Sequence, residues 1–252
     1  MSAPPTFDEL VAEGAAVPVE GWDFSWFAGR ATEERPPWGY ARAMAGRMAR
    51  ATAALDVQTG GGEVLAHVEH PPPLLAATEA WPPNAAVARA NLAPLGASVV
   101  RAAENGALPF RTGTFDLAVS RHPVVTVWPE IARVLAPGGC FFSQQVGAGS
   151  NHELTEALMG PLPVSPDRDP GRAVAAAEAA GLVVDDLRTQ RLRVEFHDVG
   201  AVVHFLRKVL WTVPGFTVER YRAPLARLHD RIRAEGSFVA HSYRFLIEAH
   251  RP

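Results

Sequence analysis

Leu55-Asp56-Val57-Gln58-Thr59-Gly60-Gly61-Gly62-Glu63 constrains this chain more than any other segment. Apolar Ala53, Ala54 and Leu55 lead into an acid, three glycines follow, and Glu63-Val64-Leu65-Ala66 has the composition to open a helix. Glycines between a strand and a helix let a ligand press against bare backbone, where side chains would block it. A helix starting just beyond would point unpaired N–H groups at that ligand. The segment therefore reads as a nucleotide-type binding turn. Two phosphate patterns are excluded: G-x-G-x-x-G fails because Leu65 stands where the third glycine belongs, and the chain has no Lys-Ser or Lys-Thr for a phosphate loop.

The order acid, short spacer, Thr, Gly-x-Gly resembles the first motif of class I S-adenosylmethionine-dependent methyltransferases. The resemblance implies that Asp56, Gln58, Thr59, Gly60 and Gly62 lie against the methionine part of S-adenosyl-L-methionine. One departure is plain: the family usually has glycine where this chain has Gln58, a side chain that can constrict the turn or add an amide contact. Next, Leu74 to Glu79 reads as a second strand ending in an acid, followed by a helix from about Asn84. Glu79 stands where doubly wound folds place the carboxylate that accepts from both ribose hydroxyls. Ala80 and Trp81 follow it, with Trp81 placed to pack beside the adenine.

Glu104-Asn105-Gly106-Ala107-Leu108-Pro109-Phe110 is similar to the family's third motif, which implies adenine contacts for Glu104 and Asn105. Phe115 to Ser120 reads as a buried strand that ends in Arg121 and His122, and ligands of open α/β sheets bind outside such strand ends. Ser120, Arg121 and His122 are therefore expected at the site, with Arg121 a candidate cofactor contact. Leu135-Ala136-Pro137-Gly138-Gly139 then matches the family's turn into its fifth strand. Four motifs in order imply a Rossmann-like class I methyltransferase fold: α/β, a mostly parallel seven-stranded sheet with helices on both faces, an N-terminal helical cap and a helical insertion before the last strand.

Three regions and a closing strand divide the chain. Residues 1–50 form the cap, with a short helix from Phe7, an aromatic stretch from Trp22 to Phe27, and Trp38 and Tyr40 leading into a helix that carries Met44 and Met48. Trp38 and Tyr40 are candidates to line the cofactor site. Residues 51–195 form the cofactor-binding core, 196–237 a helical substrate lid, and 238–252 the final strand. The lid contains an amphipathic helix from about Val202 to Leu210 and a second from Val218 to Ala234.

Composition limits the partners. Twenty-four basic against 27 acidic residues leave a formal charge of −3, which argues against a generic nucleic-acid surface. A nucleic-acid methyltransferase, the alternative, would normally bring a basic or zinc-binding module, and a single cysteine cannot build one. Cys140 is expected to pack inertly in a strand. No apolar run of about 18 residues occurs, and the N-terminus lacks a basic, apolar leader pattern, so the expectation is a cytoplasmic protein, monomer or homodimer, acting on a small molecule away from membranes. No metal is expected, since no tight His/Asp/Glu cluster falls on one element.

Methyl transfer from a sulfonium is an in-line displacement, and holding the acceptor at attack distance can supply ~7 kcal/mol or more. A base is needed only if the acceptor has a proton to lose. His122, at the end of a strand, is the first candidate base, with His197 and His204 in the insertion the second candidates. Asp198 could orient His197 or cap the following helix. His122, Gln145, His197, His204 and Trp211 are the candidate substrate contacts, with Gln144 beside them. A third possibility is a methyltransferase-like cofactor-binding protein without catalysis.

Overall fold

The computed structural model describes residues 4–252; Met1 to Ala3, the first residues of the expected cap, lie outside them. Eight strands form one sheet in the order β1-β7-β8-β6-β5-β2-β3-β4. The parallel body consists of β2 (Ala53–Asp56), β3 (Leu74–Glu79), β4 (Ser98–Arg101), β5 (Phe115–Arg121) and β6 (Leu135–Val146). β8 (Phe238–His250) runs antiparallel to both β6 and β7 (Val183–Phe196). Short apolar stretches such as Ala54-Leu55 and Ala76-Ala77 can be strands here because helices cover both faces of the sheet.

One face is covered by α2 (Tyr40–Met48) and α3 (Pro82–Leu92), which bury Tyr40, Met44, Met48, Ala88 and Leu92 against Leu117, Val119 and Phe142. The other is covered by α4 (Trp128–Val134) and α6 (Pro170–Ala179), which pack Ile131, Val134 and Ala177 on Leu55, Phe141, Phe245 and Ile247. A third core is helical. There α1 (Phe7–Ala16), α5 (His152–Met159), α7 (Val199–Lys208) and α8 (Val218–Glu235) gather around Leu10, Leu154, Val202, Leu206 and Leu225. Register explains how this core is held above the sheet. Val146, the last residue of β6, pairs with Arg244, which pairs with Gln190, whereas β7 continues to Phe196. At ~3.3 Å per residue, β7 and β8 project roughly 20 Å beyond the carboxyl end of β6.

Two expectations need correction. The sheet has eight strands instead of seven, because β1 (Ala31–Glu33), drawn from the segment expected to be only a cap, adds antiparallel to β7. The helix expected at Glu63 is absent; a single 3-10 turn, Leu65–His67, replaces it. Pro71, Pro72 and Pro73 follow closely, and proline supplies no N–H and turns the preceding residue away from helical geometry. The glycine turn therefore has no helix N-terminus behind it.

Candidate active site

The carboxyl ends of β2, β3 and β5 bring the expected turn, acid and polar cluster together. Glu79 is buried, and its carboxylate accepts from Gly60 N and Trp81 N, each at 2.9 Å. Asp56 is buried as well and accepts from Thr59 Oγ1 at 2.6 Å. Burial pushes the Asp56 carboxyl up to about 7, with neighbouring Glu79 adding to the rise despite the Thr59 bond. Burial also raises Glu79. Tyr40 stacks on Phe142 at 5.2 Å, and its buried hydroxyl has no hydrogen-bond partner among the described residues. Two carboxyls and an orphaned hydroxyl thus meet beneath the turn, an arrangement with unused hydrogen-bonding capacity.

Each glycine of the turn is held by internal packing. A Cβ on Gly60 would stand 2.2 Å from Trp22 Cδ1, one on Gly61 2.2 Å from Glu63 Oε1, and one on Gly62 2.8 Å from Leu92 Cγ. Trp22 is locked over the turn because its backbone N–H donates to Glu63 Oε1 at 2.6 Å, while Gly21 N donates to Asn84 Oδ1 at 2.7 Å. The aromatic stretch, noted in the sequence only as part of the cap, therefore covers the glycines directly. Sequence reading missed Trp22; its dense aromatic neighbourhood was the available signal.

Gln58 closes the neighbouring cleft. Its backbone takes φ +59°, a left-handed conformation that non-glycine residues seldom adopt. From there its amide donates to Val125 O at 2.6 Å and accepts from Val124 N at 2.7 Å. The cleft is lined by Val57, Thr78, Glu104, Leu108, Val125 and Phe141, and its free volume of about 20 Å3 holds little more than one water. Glu104 is exposed at its edge; Asn105 and Trp81 are exposed and outside its lining, and Ala80 is half-buried.

His122 also has positive φ, +56°, and follows directly on β5 as Gln58 closely follows the adjacent β2. Trp38 Nε1 donates to Gln144 Oε1 at 2.7 Å, and Gln144 Nε2 lies 2.8 Å from His122 Nε2. An indole N–H only donates, so Oε1 is the acceptor and the Gln144 amide donates to the imidazole, whose own proton then sits on Nδ1. Burial holds His122 well below its ordinary pKa, and Arg244, Arg121 and Arg168 reinforce the shift. The ring is neutral, with its lone pair already engaged. Gln145, the next residue of β6 and so on the opposite face of the sheet, donates from Nε2 to Thr126 Oγ1 at 3.1 Å.

The candidates in the projecting part are placed differently. His204 is buried in α7, stacked on Phe27 at 4.9 Å and edge-on to Trp26 at 5.2 Å, and burial with Lys208 and Arg207 nearby brings it down to about 4. His197 is half-buried just after β7, its backbone N–H bonded to Arg30 O at 2.8 Å. Asp198 caps α7 by accepting from Ala201 N at 2.8 Å. Trp211 reaches back toward the turn, 6.2 Å from the Trp22 ring, with Arg168 over its face at 5.2 Å. The Cys140 thiol, pushed up to about 12 by burial and Glu248, is inert. Among the described residues no group of three or more His, Cys, Asp or Glu side chains could hold a metal ion, and no helix is long and apolar enough to cross a membrane.

In chemical type these residues suit an adenosyl cofactor: a buried carboxylate ends β3, apolar walls line the neighbouring cleft, and the unpartnered Tyr40 hydroxyl lies under the turn. In conformation the cleft is shut by Gln58 and the turn covered by Trp22.

The sequence of residues 55–143 matches a family model described as methyltransferase domain. No curated protein matches the chain. Among solved structures, the YcgJ protein of Bacillus subtilis is 16% identical, with a TM-score of 0.60 over 84% of this chain and 97% of its own. An S-adenosylmethionine dependent methyltransferase from Mesorhizobium loti is 17% identical, with a TM-score of 0.51 over 85% of this chain and 97% of its own. The [4+2]-cyclase SpnF is 17% identical, with a TM-score of 0.52 over 98% of this chain and 97% of its own. Residues 55–143 thus match a methyltransferase-domain model by sequence, and the chain shares the Rossmann-like fold of these solved structures.

Proposed function

We propose that the chain is an S-adenosylmethionine-dependent methyltransferase that methylates O, N or C of a small, partly apolar metabolite. The observation that carries this reading is the assembly of Asp56, Gln58, Glu79 and His122 at the carboxyl ends of three adjacent parallel strands, within a domain of methyltransferase sequence. When bound, the cofactor supplies an electrophilic methyl group on a sulfonium. Glu79 would take the ribose hydroxyls on lone pairs left free by Gly60 and Trp81, while Val57, Leu108 and Val125 would flank the adenine. Asp56 and the Tyr40 hydroxyl would face the amino-acid end. With Gln144 on its lone pair, His122 orients the acceptor; it takes a proton only after that amide turns away. His197 is the other proposed base.

Calorimetric titration with S-adenosylmethionine and S-adenosylhomocysteine, with NADH as control, tests the reading. Micromolar binding of the two sulfur compounds and none of NADH is the expected result. The shut cleft and covered turn favour one second reading, a methyltransferase-like protein that does not catalyse; absence of binding by either sulfur compound would put that reading first.

A further inference from the structure

Three guanidinium groups gather at the carboxyl end of the sheet with one carboxylate between them. Arg121 ends β5, Arg244 lies on β8, and Arg168 belongs to the 3-10 turn Pro166–Arg168. In-sheet alternation puts Arg121, Gln144 and Arg244 on one face, since Arg121 pairs with Gln144, Gln144 with Leu246, and Arg244 is two residues from Leu246. Glu33 of β1 answers Arg244 at 2.6 Å and also accepts from Ser242 Oγ at 2.6 Å. Arg121 and Arg168 have no carboxylate within 4.0 Å among the described residues. Arg168 makes one long bond, 3.4 Å to Val124 O, and lies over the Trp211 ring. Desolvation lowers the pKa of all three arginines; Glu33 counters it at Arg244 and, with Tyr40, at Arg121, whereas Arg168 has only the further repulsion of Arg244. Arg121 is exposed and Arg168 and Arg244 half-buried, so three cations share one carboxylate at a surface that an anion can reach and where it would offset their mutual repulsion.

The geometry points to an oxyanion-binding site formed by Arg121, Arg168 and Arg244 beside His122 and Gln144, which receives a carboxylate or phosphate group on the methyl acceptor. The guanidinium fork matches either group through paired N–H donors. Val124 and Val125, exposed next to Arg168, and the Trp211 face give the rest of such an acceptor apolar contact. The assignment to an acceptor rests on the methyltransferase reading; the oxyanion site itself does not.

The test titrates the full chain with inorganic phosphate and with benzoate, holding ionic strength constant with potassium chloride, and follows melting temperature and binding heat. Phosphate or benzoate should stabilise the protein where chloride does not, and the stronger of the two names the group. Arg121→Gln and Arg168→Gln should each weaken that binding about ten- to a hundredfold, the loss of a charge-assisted contact. Without anion, both variants should melt no lower than the parent, because each relieves repulsion and breaks no ion pair. Equal response to chloride, or variants that bind as the parent does, would overturn the site. Repeating the titration with saturating S-adenosylhomocysteine separates the two ideas. Loss of phosphate binding there would assign the arginines to the cofactor's own carboxylate and overturn the acceptor assignment. Phosphate binding in a protein that takes no S-adenosylhomocysteine would uphold the oxyanion site and overturn the methyltransferase reading.

Discussion

Gln58 decides at the scale of one residue whether the turn is open. A left-handed φ costs a non-glycine residue about 1–2 kcal/mol, and the two amide bonds to Val124 and Val125 return a similar amount at about 1 kcal/mol each. Gln58→Gly should therefore leave stability nearly unchanged while removing the latch. Since a cofactor binding only an opened cleft is weakened by the fraction that is closed, the variant should bind S-adenosylhomocysteine about five- to thirtyfold more tightly. Unchanged or weaker binding by calorimetry would mean that the Gln58 amide is a cofactor contact instead. The glutamine's departure from glycine was visible in the sequence, but its destination was not: the amide finds partners 66 and 67 residues away, which no local pattern encodes. Glu79 was legible because strand-end acids recur at a fixed topological place. Trp22 was not, because covering Gly60 depends on Glu63 and Asn84 holding a segment some 40 to 60 residues distant in sequence.

Among the elements, α1 and α7 meet backbone to backbone. A Cβ on Gly14 would stand 2.2 Å from Gly200 O, and one on Gly200 2.6 Å from Leu10 O. The N-terminal helix is thereby seated on the insertion, and Arg207 strengthens the joint by donating to Gly14 O and Val17 O. Gly14→Ala must separate the helices and should cost about 1–3 kcal/mol, lowering the melting temperature by roughly 3–10 °C. The same substitution at Gly46 in α2 meets only Arg50 Nη1 at 3.8 Å and should stabilise by about 0.5–1 kcal/mol through helix propensity. Equal effects at the two positions, read by thermal melting, would refute the close crossing. Helices with clear periodicity or caps, such as α1 with its Thr6–Glu9 box, could be read from the sequence. The helix after the glycines could not, because Glu63-Val64-Leu65-Ala66 has helical composition but ends within a few residues at three prolines, and its acid is drawn to Trp22. Nor could β1, whose three residues carry no period and are fixed by pairing with β7.

For the whole molecule, buried titratable groups set stability against pH in opposite directions. Asp56, raised to about 7 by burial and by Glu79, is most favourable while protonated; its contribution is complete below the unfolded carboxylate value, ~3.9, and is lost as pH rises toward 7. His204, brought down to about 4 by burial and by Lys208 and Arg207, behaves in the opposite sense, contributing fully above ~6.5 and losing that contribution as pH falls toward 4. His122, also depressed, acts in the same direction as His204. Between about pH 4 and 6.5 the terms oppose one another, so the wild-type melting temperature should vary little there on account of these groups. Asp56→Asn keeps an acceptor for Thr59 but removes the carboxyl. Its melting temperature should rise with pH across that window and stay above wild type at pH 8, by on the order of 2–4 kcal/mol in stability. Parallel wild-type and variant profiles from pH 4 to 8 would show that Asp56 pays no penalty for its burial. The same contrast bears on function: a carboxyl kept near neutrality beneath the turn is stabilised as an anion by a cationic or N–H-rich ligand, so a sulfur cofactor that engages Asp56 should bind more tightly at pH 8 than at pH 6. A pH-independent affinity, measured in the same calorimetric titrations, would place the cofactor's amino group elsewhere in the cleft.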